Sequence, residues 1–220
     1  MKAFYRTNRK SYDGRAAVHD VLRYPLLSFS MKNIAIFASG SGTNAEKLFE
    51  KFQNHPQGRV ALLLTNNPKA GALARAERFG VPTEVFDRNS LRTSDRVLDT
   101  LQAHAVDLIV LAGFMLKIPE NLIQAFPNRI INIHPALLPA YGGKGMYGSH
   151  VHEAVVAAGE ATTGISIHYV NEHYDEGRMI LQVSCSVAPD DTAEDVAAKV
   201  HQLEHQYYPK VIEELVASLP

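Results

Sequence analysis

Residues 107–112 read Asp-Leu-Ile-Val-Leu-Ala, five apolar side chains in an unbroken row. Side chains alternate between the two faces of a strand, so such a row leaves neither face suited to water. The strand must be central and covered twice. Residues 33–38 and 60–65 are also strongly apolar, a short strand follows at 83–86 and another starts at Ile130, with helical stretches between them. This alternation predicts an α/β fold: a Rossmann-like, open, mostly parallel sheet with helices on both faces.

The turn and stop signals agree. Residues 39–44, Ser-Gly-Ser-Gly-Thr-Asn, make a tight turn from the first strand into a helix that runs through Phe52. A helix over 71–79 is stopped by Gly80, with Pro82 beyond it. Further helices are expected over 94–104, 119–126 and 150–158, the last ended by Gly159. Strands at 164–170 and 179–187 are joined by the short segment 171–177, which implies an antiparallel hairpin at the sheet edge. The last helix starts at Asp190-Asp191-Thr192, turns Val196, Val200 and Leu203 inward, and is expected to be kinked or divided at Pro209. Residues 31–220 are expected to form a single domain.

Composition narrows the function. With 46% hydrophobic and 20% charged residues, the 220-residue chain suits one globular domain with a full core. Its 22 basic and 23 acidic residues give a net charge of -1, so no overall field favours nucleic acid or an anionic membrane, and neither is expected as a partner. An anionic ligand must be held locally. The single cysteine rules out an internal disulfide, no apolar run is long enough to span a bilayer, and a cytoplasmic location is expected. Residues 1–30 break the pattern, scattering Lys2, Arg6, Arg9, Lys10, Arg15 and Arg23 among aromatics ahead of a second methionine, Met31. They read as an N-terminal extension, a flexible tail or a misassigned start. They lack the apolar centre of a secretory signal, and an organellar transit peptide is a minor reading.

The residues with chemistry cluster at strand ends. In Ile130-Ile131-Asn132-Ile133-His134-Pro135, the period of two puts Asn132 and His134 on one face at the carboxyl end of a strand, where open α/β sheets bind ligands. An amide that donates to an oxyanion beside an imidazole that carries a proton suggests chemistry at a carbonyl. The ordinary alternative is a strand end whose polar groups satisfy loop backbone. The turn ending Gly42-Thr43-Asn44 presents backbone N–H groups and a helix N-terminus to a phosphate, or is turn chemistry alone. A dinucleotide fits less well, because the third glycine of G-x-G-x-x-G is missing and no acid follows the second strand.

Three further features are weighed. If segment 171–177 folds over the sheet edge, the Asp175 carboxylate approaches His134 and raises its pKa; the ordinary alternative is a solvated loop acid. His201-Gln202-Leu203-Glu204-His205 matches the H-x-x-E-H spacing of a zinc peptidase, but too little chain follows for a third ligand; exposed helix charge and substrate contact by Glu204 compete with it, and no metal is expected. Cys185 alternates with Leu181, Val183 and Val187 and is read as core. His168, opposite Ile165 and Ile167, is either a satisfied structural histidine or a cleft residue.

Four stretches, IAIFASGSGTN at 34–44, VLAGFM at 110–115, NIHPALLP at 132–139 and residues 164–177 with Asp175 near the end, occur in order at fitting spacings. Together the chain resembles the phosphoribosylglycinamide formyltransferase family from Met31 to the C-terminus. The resemblance implies transfer of a formyl group from 10-formyltetrahydrofolate, a co-substrate, to glycinamide ribonucleotide in purine biosynthesis. It implies that Asn132, His134 and Asp175 are catalytic, with Asp175 keeping His134 cationic, and that Gly42, Thr43 and Asn44 hold the phosphoribosyl substrate with His201, Gln202, Leu203 and Glu204. Met115, Leu116, Lys117 and Ile118, with Asn132 and residues Asn171, Glu172, His173, Tyr174 and Asp175, would line the folate pocket. Arg92 stands nearest to the family's folate-contacting arginine. The loop 141–148 is longer than in some members, and Lys144 within it could add a phosphate contact.

Relatives on the same core remain as alternatives. A methionyl-tRNA formyltransferase carries a further C-terminal barrel and a formylfolate hydrolase an N-terminal regulatory domain, for which 220 residues leave no room. A non-catalytic nucleotide-phosphate sensor would use the Gly42 turn and not His134. Monomer and homodimer are both compatible with the sequence.

Overall fold

A computed structural model describes residues 30–220. The N-terminal extension therefore lies, all but its last residue, outside the described residues. Seven strands, β1 (Lys32–Phe37), β2 (Gly58–Thr65), β3 (Thr83–Val85), β4 (Leu108–Leu111), β5 (Ile130–His134), β6 (Thr162–Tyr169) and β7 (Met179–Ser186), form one sheet. Its order is β3-β2-β1-β4-β5-β6-β7. Pairing is parallel from β3 through β5 and antiparallel from β5 to β7. The antiparallel portion is one pairing wider than the edge hairpin expected from sequence, because β6 runs back along β5 with Asn132 opposite His168.

Alternate side chains of the central strands feed two cores. Ile34, Ile36, Val110 and Ile131 point to one side, where they meet Leu48, Phe49 and Phe52 of α1 (Thr43–Phe52), Ala72 and Ala76 of α2 (Gly71–Arg78), Val155, and Val200, Tyr208 and Ile212. Ala35, Phe37, Ile109, Leu111 and Ile130 point to the other, where they meet Leu91, Leu101 and Leu122. The apolar run 108–112 is buried throughout, as its composition requires.

The helices differ from the sequence expectation at three places. The helix expected over 94–104 is α4 (Arg96–Ala103), and a separate α3 (Arg88–Thr93) precedes it. Asp87 caps α3 by accepting the Ser90 N–H at 2.9 Å, an N-cap signal legible in Asp-Arg-Asn-Ser. After α5 (Glu120–Ala125) and α6 (Ser149–Ala157), the last helix, α7 (Ala193–Ser218), runs unbroken through Pro209. Pro209 removes one backbone donor, but Tyr208, Val211 and Ile212 around it are buried and hold both halves to the sheet. At the other end Thr192 and Asp195 form a reciprocal capping box.

Candidate active site

The strand order reverses direction between β1 and β4, and the crevice beyond their carboxyl ends is the place where an open α/β sheet takes a ligand. A cleft of about 540 Å³ lies there. Its walls are the turns after β1 and β4, the end of β5, the loop 143–148, the segment 170–175, Arg88, His152, and His201 and Glu204 of α7.

The turn after β1 ends in Gly42 at φ 76°, the left-handed residue before α1. A side chain at Gly42 would meet Ala72 at 2.6 Å, so glycine is required twice, by conformation and by contact with α2. No side chain caps α1, and the first helical bond is Glu46 N–H to Gly42 C=O. The N–H groups of residues 43–45 thus have no acceptor within the helix and lie where the dipole favours an anion. The turn is held by Arg75 Nε–H donating to Ser41 C=O at 2.8 Å, with Arg75 and Arg78 also paired to Glu46. Ser39 Oγ donates to Asn66 Oδ1 at 2.7 Å and accepts the Met115 N–H at 3.1 Å, joining this turn to the one after β4.

At the end of β5, Asn132, His134, His168 and Asp175 converge. Gly177 lies so close to Tyr169 that a Cβ would stand 1.7 Å from the Tyr169 oxygen; its bare backbone lets the hairpin segment fold back over β6. That fold carries Asp175 Oδ2 to 3.7 Å from His134 Nδ1 and Oδ1 to 3.6 Å from His168 Nε2. Gly143 N–H donates to Asp175 Oδ2 at 2.9 Å, and His134 Nε2 meets the Tyr141 carbonyl at 2.7 Å. The loop backbone therefore holds both members of the pair. His168 Nδ1–H donates to the Tyr169 carbonyl at 2.9 Å, which leaves Nε2 to accept from Asn132 Nδ2 at 3.1 Å. The Asn132 amide is oriented with its nitrogen toward His168 and Asp175.

Electrostatics at this cluster correct one expectation. His134 is 3% exposed, and burial lowers its pKa below 6.5; Asp175 and the Tyr141 carbonyl pull it up but less strongly. Desolvation outweighs the carboxylate, so Asp175 does not raise the His134 pKa above its ordinary value. Burial likewise opposes the Asp175 carboxylate, yet His168, the Gly143 N–H and His134 together hold it below 3.8. At the α7 side, burial raises the pKa of Glu204, against the hydrogen bond from Asn44 Nδ2 at 2.8 Å and the nearby His201.

The formyl transferase family matches residues 32–212. The chain belongs to the formyl transferase family. It is 43% identical over 187 residues to the chloroplastic phosphoribosylglycinamide formyltransferase of Arabidopsis thaliana, covering 82% of this chain and 64% of the relative. It thus spans just under two thirds of that relative's length. It is 37% identical over 191 residues to the phosphoribosylglycinamide formyltransferase of Bacillus subtilis (strain 168), covering 84% of this chain and 95% of the relative. The crystal structure of phosphoribosylglycinamide formyltransferase from Anaplasma phagocytophilum superposes with a TM-score of 0.78 at 33% identity, over 85% of this chain and 87% of that one.

In this member of the formyl transferase family the cleft gathers most of the residues singled out in the sequence. Gly42, Thr43, Asn44, Met115, Leu116, Lys117, Ile118, Asn132, His134, Asn171, His173, Tyr174, Asp175, His201 and Glu204 line it, as does Lys144. Four do not. On α7, residues 201 and 204 share the cleft face, while Gln202 is exposed and Leu203 packs against the core. Glu172 points to solvent beside His173. Arg92 lines a separate groove with Pro119 and Asn121, and Arg88, one turn earlier on α3, faces the cleft in its stead. Sequence reasoning missed Arg88 because it did not see α3. It also missed His152, buried on α6, and the backbone groups of Tyr141 and Gly143. His168 proves to be both buried and a cleft residue. Cys185 is partly buried against the core. No cluster of three metal-ligating side chains forms among the described residues, and His205 of the H-x-x-E-H segment is not among those lining the cleft.

Proposed function

We propose that this chain transfers the formyl group of 10-formyltetrahydrofolate to the amine of glycinamide ribonucleotide, a reading supported by relatives named phosphoribosylglycinamide formyltransferase. The observation that carries the reading is the convergence of Asn132, His134 and Asp175 at one end of a cleft whose other end is the open N-terminus of α1. The α1 end suits a phosphate. The wall formed by Met115, Leu116, Ile118 and Val170 suits a flat, largely apolar ring, with Arg88 and Lys117 as cations for the acidic tail of a folate. Lys144 supplies a further cation on the loop.

The residues' roles follow. The amine attacks the formyl carbon, and a C–N bond forms. Asn132 Nδ2–H donates to the oxyanion that develops. His134, kept neutral near pH 7 by burial, takes the proton from the attacking nitrogen and delivers it to the departing folate nitrogen as that C–N bond breaks. Asp175 stabilises the imidazolium formed in between and orders water beside it. The step needs neither a metal nor a covalent enzyme intermediate. The formyltransferase unit is residues 31–220, and the single cysteine supports a reducing compartment such as the cytoplasm. Among the described residues no helix is long and apolar enough to cross a membrane.

Spectroscopic assay of folate release with both substrates tests the reading. Turnover is expected only with both present, and His134→Ala should lower kcat by roughly 10²–10⁴-fold. Folate release without the ribonucleotide would mark a hydrolase instead, and absence of turnover would leave a binding protein.

A further inference from the structure

Two buried polar atoms in the cleft wall have no hydrogen-bond partner among the described residues: Asn44 Oδ1 and His152 Nδ1. A buried polar atom without a partner is a net cost to folding, so the pair points to a partner supplied from outside the chain. Asn44 sits in the first turn of α1. Its Nδ2–H is committed to Glu204 Oε2 at 2.8 Å, which leaves Oδ1 as a free acceptor. His152 comes from α6 and is 4% exposed. Its ring stands nearly perpendicular to that of His201, with centroids 6.3 Å apart. It also lies within electrostatic reach of His134. His152 therefore occupies the wall between the reactive end of the cleft and the α1 end.

The chemistry of the two atoms restricts what fits. Burial, then the neighbouring His201 and His134, lower the His152 pKa below 6.5, so the ring is neutral near pH 7. A neutral imidazole nitrogen and a carbonyl acceptor that line one cleft suit hydroxyl groups, which both donate and accept. A phosphate dianion has only acceptors and is already provided for by the N–H groups of α1. We propose that His152 is a substrate-binding residue that, with Asn44 Oδ1, hydrogen-bonds the ribose hydroxyls of the phosphoribosyl substrate. The inference rests on the function proposed above. His152 holds the substrate between its phosphate and its reacting amine, and takes no proton in the reaction.

Calorimetric titration with glycinamide ribonucleotide tests it on the wild type, His152→Leu and His152→Asn. The leucine variant should bind roughly tenfold more weakly, and the asparagine variant, which returns a polar group near Nδ1, should recover most of the loss. An analogue lacking the ribose hydroxyls should bind the wild type and the leucine variant equally. Affinity for formylfolate, unchanged in both variants, reports that the cleft is intact; should leucine leave the protein unfolded, His152→Phe keeps the ring without its nitrogens. Leucine binding as tight as wild type, or loss of both ligands together, overturns the assignment of His152. A wild type that does not bind the ribonucleotide overturns the function itself.

Discussion

His134 faces two acceptors, the Tyr141 carbonyl at 2.7 Å and Asp175 at 3.7 Å, yet burial keeps its pKa below 6.5. The balance sets what Asp175 does. Its charge raises the His134 pKa, so Asp175→Asn should lower that pKa further. In the mechanism above the neutral form starts the reaction, and activity declines as pH falls through the His134 pKa. The acid limb of the kcat/KM profile should therefore lie below pH 6.5 in the wild type and move to lower pH in Asp175→Asn. At pH 7.5 kcat should fall about 10²-fold or more, because the imidazolium formed during transfer loses its counter-charge. A limb that moves upward would contradict the assignment. Asn132 depends on its neighbour in a different way: His168 accepts from its amide nitrogen, so the strand opposite β5 sets how the amide is turned in the cleft.

The N-terminus of α1 works because several elements press on one turn. Its N–H groups stay open only while no side chain caps them and the turn keeps the left-handed Gly42. Gly42→Ala should cost about 1–3 kcal/mol, from the backbone conformation and the contact with Ala72, measured by denaturant unfolding. Because the same residue aims the N–H groups, the KM for the ribonucleotide should rise about tenfold or more, while the KM for formylfolate stays within about twofold. If both constants moved alike, the turn would be a structural element only. Opposite it, α7 supplies His201 and Glu204 from one face and Tyr208 from below, whose hydroxyl lies 2.9 Å from the Leu111 carbonyl and 3.2 Å from that of Ile131. That contact ties the helix to the two strands that end at the cleft.

At the scale of the molecule, the cleft and its surroundings make the fold sensitive to acid. His134, His152 and His205 all have pKa values lowered below 6.5, each chiefly by burial. As pH drops below 6.5 the unfolded chain binds protons that the folded chain refuses, so stability falls. Glu204, raised above 4.5, acts oppositely, since its folded form takes a proton at a pH where the unfolded form does not. With three histidines set against one carboxyl, the melting temperature should fall by at least about 2 °C from pH 7.5 to 5.5. Scanning calorimetry at the two pH values checks this, and a level or rising midpoint would refute it. By itself the sequence determined the α/β class, the order of the strands and of the helices other than α3, the Gly42 turn and the Asn132 and His134 strand end, because period and turn residues act over a few residues. Tertiary structure decided the rest. Only the antiparallel return of β6 set Asn132 against His168, and only the placement of α3 against the sheet brought Arg88, one turn before Arg92, to the cleft. The sign of the His134 shift was likewise beyond the sequence, because desolvation sums over every neighbour in space, whereas the attraction of Asp175 is a single pair.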